Sequence, residues 1–273
     1  MATTRSISIL TWNIWFDKLQ HSARTYAVAQ TIASRRPSVA CLQEVTPSAF
    51  RILRAELGHN FSFSPFDETC SYSTLTLVDK SIDASPLFQR RDFVTSDQGR
   101  FLQVTVLGCG IRVGNVHLES LNNHLIRNEQ IETCSAYFKA NEGTAILSGD
   151  FNFCSWANYD SRKPLPLEND DLARLLPGFI DVWPASNPGD KGYTFDSETN
   201  SMLAGRVKQQ ERFRFDRILF NCSGRLGLES SVLLGTEPIN DPAPSSSFNT
   251  PPRGESEVLF CSDHFGLLAN FSF

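Results

Sequence analysis

The sequence lacks the features that would place a protein in a membrane, outside the cell or on nucleic acid through bulk charge. It has no run of about 18 apolar residues, so no segment can span a membrane as a helix. Its N-terminus, MATTRSISIL, has neither the apolar core nor the cleavage site of a secretory leader, which predicts an intracellular protein, nuclear or cytoplasmic. Lys and Arg number 25 against 30 Asp and Glu in 273 residues, and a net charge of −5 leaves room only for a local basic groove.

Motifs for several common chemistries are also missing. The seven cysteines contain no CxxC pair, and no second pair accompanies Cys261 and His264 to complete a zinc site. Scattered cysteines inside apolar runs such as SVACLQEV predict buried free thiols in a reducing compartment. No GxxxxGK[ST] or GxSxG occurs, so nothing indicates a P-loop nucleotide-binding protein or a serine hydrolase.

The sequence does contain short apolar strands that alternate with helical segments and turns. Nearly continuous apolar runs such as TAILSGDF are typical of strands buried on both faces. The predicted strands cover 6–15, 38–45, 100–107, 111–118, 144–151, 213–220, 226–235 and 265–273, and the predicted helices cover 22–35, 48–57 and 123–140. The segment 237–257, rich in Pro and Ser, predicts a mobile surface loop. Because the last strand has to pair with the body of the sheet, one domain over 1–273 is expected.

Polar residues suited to ligand or acid–base chemistry fall at the ends of these strands. They are Asn13, Glu44, His117, Asp150, Asn152, Asp216, Asp263 and His264. Each alone has an ordinary structural explanation, such as a turn cap, a core histidine or a salt bridge. Side chains at strand ends converge at one rim of a layered fold, and carboxylates beside apolar runs need a cation or hydrogen-bond donors. Together they predict an oxygen-rich site that suits Mg²⁺ better than zinc.

Four short motifs, in order along the chain, carry a resemblance to a known superfamily. They are Thr11-Trp12-Asn13, Leu42-Gln43-Glu44, Gly149-Asp150-Phe151-Asn152 and Ser262-Asp263-His264. They resemble the ordered motifs of the endonuclease/exonuclease/phosphatase superfamily. The resemblance implies an α/β fold, a four-layered αββα sandwich, and a metal-dependent phosphodiesterase or phosphatase that uses Mg²⁺, with Mn²⁺ as a substitute.

A longer set of segments is similar to the tyrosyl-DNA phosphodiesterase 2 family within that superfamily. The segments are His117-Leu118-Glu119-Ser120, Arg127 with Gln130, Asp181-Val182-Trp183, Tyr193-Thr194-Phe195-Asp196, Asn200, Arg214-Phe215-Asp216-Arg217, Leu233-Leu234-Gly235 and Gly266-Leu267-Leu268. This resemblance implies a monomeric DNA-repair hydrolase that removes tyrosine or protein adducts from DNA 5′ ends and leaves a 5′-phosphate. The chain departs from the family at Phe195, where the family has Trp. It departs again at Cys154, where the family has an Arg for a phosphate or DNA contact.

Roles at the metal and the attacking water follow from the side-chain chemistry beside this resemblance. Glu44 is expected to ligate Mg²⁺, with Asn13 beside it. Asp150 is expected to orient and deprotonate the attacking water, with Asn152 positioning that water. A tyrosine phenolate, whose free pKa is about 10, departs more readily than a sugar alkoxide and needs little acid assistance.

Other roles concern the phosphate and the rest of the substrate. His264 and His117 are expected to donate hydrogen bonds to the phosphate oxygens as charge builds on phosphorus. By resemblance, Asp216 would hold the His264 imidazole in its donating form, and Asp263 would add a carboxylate near the metal's water shell. Substrate contacts are expected from Asn13, Tyr72, Ser120, Phe195, Asn200, Arg214 and Phe215.

Several alternatives remain open at the level of the sequence. The segment 206–217 carries Arg206, Lys208, Arg212, Arg214 and Arg217, which predict either a phosphate track or a solvated charged face. With 21 Phe in the chain, core packing competes with base stacking for each ring. The same fold also supports an abasic-site endonuclease, a deadenylase or a phospholipid or inositol phosphatase. A catalytically silent binding module is disfavoured, because every expected site position is filled.

Overall fold

The computed structural model describes residues 6–93, 100–158, 166–221, 226–239 and 258–273. Its strands, in chain order, are β1 (Ser6–Asn13), β2 (Val39–Val45), β3 (Phe61–Phe63), β4 (Ser73–Asp79), β5 (Leu87–Asp92), β6 (Phe101–Val106), β7 (Arg112–His117), β8 (Ala145–Asp150), β9 (Phe179–Asp181), β10 (Phe195–Asp196), β11 (Arg212–Phe213), β12 (Asp216–Asn221), β13 (Gly227–Leu234) and β14 (Gly266–Ser272). Its α-helices are α1 (His21–Arg35), α2 (Pro47–Leu57), α3 (His124–Ala140), α4 (Asp171–Leu175) and α5 (Val182–Ser186).

The strands form two six-stranded sheets and a two-stranded ribbon of β10 and β11. The order in the first sheet is β13-β14-β1-β2-β4-β3, and the order in the second is β5-β6-β7-β8-β12-β9. In the first sheet β1 and β2 are parallel, and in the second β7 and β8 are parallel. Parallel neighbours end at the same edge of a sheet, so Asn13 lies beside Gln43, and His117 lies beside Asp150.

Successive residues in a strand point to opposite faces, and this alternation separates the core into layers. In β1, Ile9 packs between the two sheets, whereas Leu10 packs against α1 and α2. In β8, Ile146 packs between the sheets, whereas Leu147 packs against α3 and α4. The layers therefore run helices, sheet, sheet, helices, which confirms the predicted four-layered αββα sandwich.

A buried polar network also joins the two sheets. The Gln43 side-chain amide donates to Asn115 Oδ1 at 2.8 Å. The Asn115 amide donates in turn to Leu75 O and to Thr76 Oγ1, both at 3.2 Å. Neither Gln43 nor Asn115 is exposed, so these bonds fix how one sheet sits on the other more specifically than apolar packing alone.

Most of the predicted elements are confirmed, with one clear exception. The hairpin of β6 and β7 and the helix α3 lie where the sequence predicts them. A single strand over 213–220 is wrong, because β11 ends at Phe213 and the chain enters the second sheet only at Asp216. Between them, Thr194 Oγ1 accepts the backbone N–H groups of Phe215 and Asp216, both at 3.0 Å, which draws this stretch toward the residue 194 loop.

The prediction for the cysteines is confirmed in part, and the prediction for the late loop stays a prediction. Among the six described cysteines, all of them free, Cys41, Cys134, Cys154 and Cys261 are buried, as predicted, but Cys70 is half-buried and Cys109 is exposed. The predicted loop 237–257 lies outside the described residues beyond 239, as does Cys222. Within the described ranges, no helix has the length and apolar character needed to cross a membrane.

Candidate active site

Polar side chains from both sheets meet at one end of the sandwich. Asn13 ends β1, His117 ends β7 and Asp150 ends β8. Asp216 begins β12 directly opposite Asp150. His264 joins them from the loop before β14 and lies within hydrogen-bond distance of Asp216. The structure therefore brings together residues from distant parts of the sequence at the strand ends.

Asn13 bridges two carboxylates that belong to different sheets. Its Nδ2 donates to Glu44 Oε1 at 3.1 Å and to Asp150 Oδ2 at 2.9 Å. Its Oδ1 accepts the Trp15 N–H at 3.0 Å. Because the amide nitrogen faces the carboxylates and the oxygen is engaged by the backbone, this orientation gives Asn13 a positioning role. Its predicted roles as a metal ligand and a substrate contact stay predictions.

Glu44 is held in an unusual backbone conformation. Its φ is 56°, and the pairing of β2 with β4 shifts register between Leu42 and Val45. Such left-handed backbone is strained in a non-glycine residue and is often found at functional sites. Glu44 Oε2 accepts the Phe16 N–H at 3.0 Å. Burial and the nearby Asp263 carboxylate destabilise the charged form of Glu44 and raise its pKa to about 7. A bound cation would stabilise that charged form.

Asp150 is also buried, but its pKa is lowered, whereas that of Glu44 is raised. Burial opposes its charge, but the positive His264, the His117 ring and the Asn13 amide outweigh that effect and hold the pKa of Asp150 below its usual range. Its Oδ1 accepts the Asn152 N–H at 2.8 Å. The carboxylate is therefore ionised at neutral pH and fixed through both oxygens.

The residues flanking Asp150 explain how it reaches this position. Gly149 has a φ of 149°, and a side chain there would collide with the Val116 backbone of β7. Only glycine permits this close approach of β7 and β8. Asn152 has a φ of 56°, and its side-chain amide donates to Leu118 O at 2.9 Å. The Asn152 side chain thus turns back toward the end of β7, and its predicted contact with the attacking water stays a prediction.

His264 and Asp216 form a buried ion pair. His264 Nδ1 lies 2.8 Å from Asp216 Oδ2, and the two residues are 6% and 0% exposed. Burial lowers the pKa of His264, but the charges of Asp216 and Asp263 raise it well above its ordinary value. The ring is therefore an imidazolium whose Nδ1–H donates to Asp216, which leaves the Nε2–H to donate elsewhere.

His117 is the neutral counterpart of His264. Its Nε2 lies 3.5 Å from Asp150 Oδ2 and 3.8 Å from Glu44 Oε1. Burial, and then the positive charge of Arg100, lower the pKa of His117 to about 3. Sequence reasoning missed Arg100, whose guanidinium donates to Leu118 O beside the site. At neutral pH the site thus pairs one charged histidine with one neutral histidine.

The donor set fits a hard divalent cation. Carboxylate oxygens of Asp150 and Asp216 and a ring nitrogen of His264 all lie within 4.8 Å of one another, although His264 as an imidazolium is not itself a ligand. The buried Oδ1 of Asp216 has no hydrogen-bond partner in the described part of the chain. The Asp263 carboxylate contributes to the raised pKa of Glu44. Oxygen ligands with uncompensated negative charge suit a divalent cation. That Glu44 holds the ion stays a prediction.

Aromatic rings flank the charged groups on two sides. Phe195 contacts the His264 ring edge-to-face at 5.2 Å, and Phe215 lies behind it at 5.7 Å from Phe195. On the other side, Tyr72 stacks on Phe16 at 4.9 Å. Phe195 and Tyr72 are half-buried, whereas Phe215 is only 8% exposed. The geometry suits Phe195 and Tyr72 to contact a substrate, and Phe215 to support Phe195.

Two predicted substrate residues have internal partners. Asn200 is fully buried, and its Nδ2 donates to Ser262 O at 2.8 Å, which holds the loop that carries His264. Arg214 is 3% exposed and lies 2.8 Å from both carboxylate oxygens of Asp181. Ser120 is half-buried, three residues beyond the end of β7. Contact of these three residues with substrate stays a prediction.

Three arginines of the basic segment 206–217 have carboxylate partners or are buried. Arg206 pairs with Asp17 at 3.0 Å, and Arg212 pairs with Asp196 at 3.1 Å. Arg217 is fully buried beneath the sheet end. The two exposed pairs are typical of a solvated charged face, and contact of this segment with phosphate stays a prediction.

Sequence reasoning also missed Arg24. This buried α1 side chain donates to the carbonyl oxygens of Asp17 at 2.7 Å, Leu19 at 2.8 Å and Ile14 at 3.1 Å. It therefore fixes the loop that offers the Phe16 N–H to Glu44. No motif signals this role, since the bonds run to backbone atoms that any sequence supplies.

Comparison with known proteins agrees with this fold. The structure resembles a TDP2 from Caenorhabditis elegans (TM-score 0.75, 23% identity, covering 98% of this chain and 74% of that one). It also resembles a Danio rerio TDP2 complexed with single strand DNA product (0.75, 22%, covering 97% and 98%). An endonuclease/exonuclease/phosphatase from Bacteroides vulgatus follows (0.68, 16%, covering 98% of both chains). At these identities the likeness shows a shared fold.

The family is identified by comparison of the sequence with models of protein families. No curated protein gives a significant match to it. Residues 10–264 match the model of the Endonuclease/Exonuclease/phosphatase family, a span that includes every motif from Asn13 to His264. The chain belongs to the Endonuclease/Exonuclease/phosphatase family, whose members are typically hydrolases of phosphate esters.

Proposed function

We propose that the protein is a Mg²⁺-dependent phosphodiesterase that hydrolyses 5′-phosphotyrosyl DNA and leaves a 5′-phosphate, with Mn²⁺ able to replace Mg²⁺. The observation that carries the proposal is that an ionised Asp150 lies close to a charged His264, beside Glu44, whose charged form a cation would stabilise. A carboxylate that can accept a proton and an imidazolium that can stabilise an anion suit in-line attack on phosphorus. Family membership supports the reaction class.

Before the reaction, a few residues would hold the cation and keep Glu44 and Asp150 in position. Glu44 would hold the ion, and Asn13 keeps Glu44 and Asp150 in fixed relation through its two donated hydrogen bonds. When bound, Mg²⁺ supplies positive charge that offsets the negative charge on the phosphate oxygens. Arg24 and the loop that it holds keep the Phe16 N–H on Glu44.

Hydrolysis then needs one proton acceptor and two hydrogen-bond donors. A water attacks phosphorus opposite the tyrosine oxygen, the new P–O bond forms as the bond to tyrosine breaks, and Asp150 accepts the water's proton. That water becomes more acidic as its oxygen bonds to phosphorus, so a carboxylate of low pKa suffices. His264 and the neutral His117 donate N–H groups to the non-bridging oxygens. The tyrosine leaves as a phenolate, with a free pKa of about 10, and takes a proton from solvent.

The aromatic surroundings support the choice of substrate. Phe195 presents a half-buried ring beside His264, suited to stack on a nucleobase. Tyr72 and Phe16 present a second ring pair beside His117, suited to an aromatic leaving group. The HLES and RFDR segments and the likeness to TDP2 structures favour phosphotyrosyl DNA over an abasic site, poly(A) or an inositol phosphate. A monomer that acts on DNA ends in the nucleus would be the matching cellular form.

The test is hydrolysis of a 5′-phosphotyrosyl oligonucleotide, with abasic duplex, poly(A) and an inositol phosphate assayed in parallel. We expect free tyrosine and a 5′-phosphate in Mg²⁺ or Mn²⁺, and no turnover in EDTA. Asp150→Asn should lower kcat by roughly 10²- to 10⁴-fold. Asp92→Asn, which changes an exposed carboxylate paired with Arg90, should not change kcat. Preference for another substrate, or full turnover in EDTA, would refute the proposal.

A further inference from the structure

A cleft lined in part by Arg214, two residues before Asp216, has no role in the mechanism above. Its volume is about 490 Å³. Leu172, Leu176 and Phe179 form an apolar floor, and Trp156, Lys191 and Arg214 lie on its walls. It adjoins the site through the backbone, because the Arg214 N–H donates to Cys154 Sγ at 3.4 Å and Arg214 precedes Asp216 by two residues. A ligand that extends from the scissile phosphate could therefore reach this cleft.

Aromatic rings and cations are interleaved along this wall. Lys191 Nζ lies 4.7 Å from the centre of the Trp156 ring, and the Arg214 guanidinium lies 5.9 Å from it. Tyr193 meets Trp156 edge-to-face at 5.3 Å. Trp156 is half-buried and Lys191 is exposed, so part of each can contact a ligand. A ring beside cations is the arrangement that binds bases and phosphates of single strands.

The buried charges behind the wall are not balanced. Arg214 and Arg217 are 3% and 0% exposed, and both are ion-paired to the same carboxylate, Asp181, at 2.8 and 3.8 Å. Arg214 Nε has no hydrogen-bond partner among the described residues. Burial, and then the neighbouring charge of Arg214, lower the pKa of Arg217 to about 10. The other carboxylates nearby are Glu168, which pairs with Arg127, and the exposed Asp190 of the cleft lining. Two buried guanidinium groups that share Asp181, with a buried Arg214 N–H unsatisfied, favour an anionic ligand.

We propose that this cleft binds a nucleotide of the DNA strand 3′ to the cleaved end, with the base on Trp156 and the phosphate at Lys191 and Arg214. A nucleotide combines a flat apolar base with an anionic phosphate, which matches an apolar floor beside an aromatic ring and uncompensated cations. The inference rests on the proposed function, because it assigns a further contact to the same substrate. A free nucleotide has the same chemistry, so the experiment must separate the two sources.

The first experiment measures binding without turnover, by fluorescence anisotropy of a labelled, 5′-phosphorylated oligothymidylate in EDTA. Trp156→Ala should weaken binding by about 5- to 100-fold, and Trp156→Phe should restore most of it. Lys191→Ala should lower the salt-dependence slope by about 1, whereas the exposed Lys139→Ala should not. Equal binding by wild type and Trp156→Ala, or no binding by wild type, overturns the proposal. Micromolar competition by free thymidine monophosphate that depends on Trp156 also overturns it in favour of a free-nucleotide site.

The second experiment separates failure of this inference from failure of the proposed function. Trp156→Ala should raise KM for a long tyrosyl oligonucleotide but leave kcat/KM unchanged for a tyrosyl mononucleotide, which is too short to reach the cleft. Equal losses on both substrates would indicate a disturbed catalytic site and overturn the assignment. Should no tyrosyl substrate be cleaved while Trp156→Ala still weakens oligonucleotide binding, the proposed reaction fails and the nucleotide cleft stands.

Discussion

His264 Nδ1 lies 2.8 Å from Asp216 Oδ2, and this pair joins the loop before β14 to the start of β12. Asp216 lies behind the imidazole and fixes both its protonation and its orientation. Asp216 Oδ2 bonds His264, whereas Oδ1 is buried without a hydrogen-bond partner in the described residues. A buried charge with an unsatisfied oxygen lowers the stability of the fold, so a functional role explains Asp216 better than a stabilising one.

Asp216→Asn should test whether Asp216 keeps His264 protonated for the reaction. The variant removes the carboxylate that raises the pKa of His264, so the imidazolium loses its proton at lower pH. We expect kcat on a phosphotyrosyl substrate to fall roughly 10²- to 10⁴-fold at neutral pH, and the alkaline limb of the pH profile to move downward. Thermal melting serves as the control and should show a folded protein. An unchanged alkaline limb would contradict the positioning role of Asp216.

Glu44→Gln should change how metal affects stability. The pKa of Glu44 is raised to about 7 in the folded state, so without a cation stability falls as the pH rises from the unfolded value of about 4.3, and the full penalty is present above about pH 7. At pH 8 in EDTA the variant should melt at a higher temperature than wild type. Mg²⁺ should stabilise the wild type and have little effect on the variant, because the anionic ligand is gone. Glu56→Gln, on the exposed side of α2, should behave as wild type in both conditions. A Mg²⁺ response retained by Glu44→Gln would exclude Glu44 as the ligand.

The strand framework and the gathering of its polar ends could be predicted from the sequence, because both follow from local patterns. Apolar runs ending in Asn13 and Asp150 mark buried strands and their rims. The partners of Arg214 and Arg24 could not be predicted in this way. Their contacts run to Asp181 and to backbone carbonyls, and only the folded chain brings these groups together. The break between Phe213 and Asp216 could not be predicted either, since the local pattern assigns both to one strand. It arises where Thr194 Oγ1 accepts the backbone N–H groups of Phe215 and Asp216.

The inter-sheet network gives a test of the fold that is independent of activity. Asn115→Ala would remove the hydrogen bond from the Gln43 amide and the buried bonds that Asn115 donates to Leu75 O and Thr76 Oγ1. Gln43 Nε2 would keep its bonds to Thr11 Oγ1 at 3.1 Å and Cys41 O at 3.0 Å. We expect a loss of about 2–4 kcal/mol in the free energy of unfolding, measured by urea denaturation. Asn270→Ala, which removes one half-buried hydrogen bond to Ser230 Oγ at 3.0 Å, should cost less than about 1.5 kcal/mol. Equal losses in the two variants would mean that the network has no special structural role.

Asp79 should make stability depend on pH at a place far from the candidate active site. Its buried carboxylate accepts from Arg36 Nε at 2.7 Å and from the Ser81 N–H at 2.8 Å. Burial opposes its charge, but these bonds outweigh burial and lower the pKa of Asp79 in the folded state.

A lowered folded pKa contributes stability above the unfolded pKa of about 3.9, and that contribution is lost as the pH falls through the folded value. Asp79→Asn should therefore cost about 1–3 kcal/mol at pH 7 and clearly less near pH 3, as measured by urea denaturation at both pH values. Glu68→Gln, which breaks an exposed pair with Arg51 at 3.0 Å, should cost less than about 1 kcal/mol at pH 7. A penalty for Asp79→Asn that stays the same at both pH values would show that the Asp79 side chain acts through packing and that its charge does not contribute.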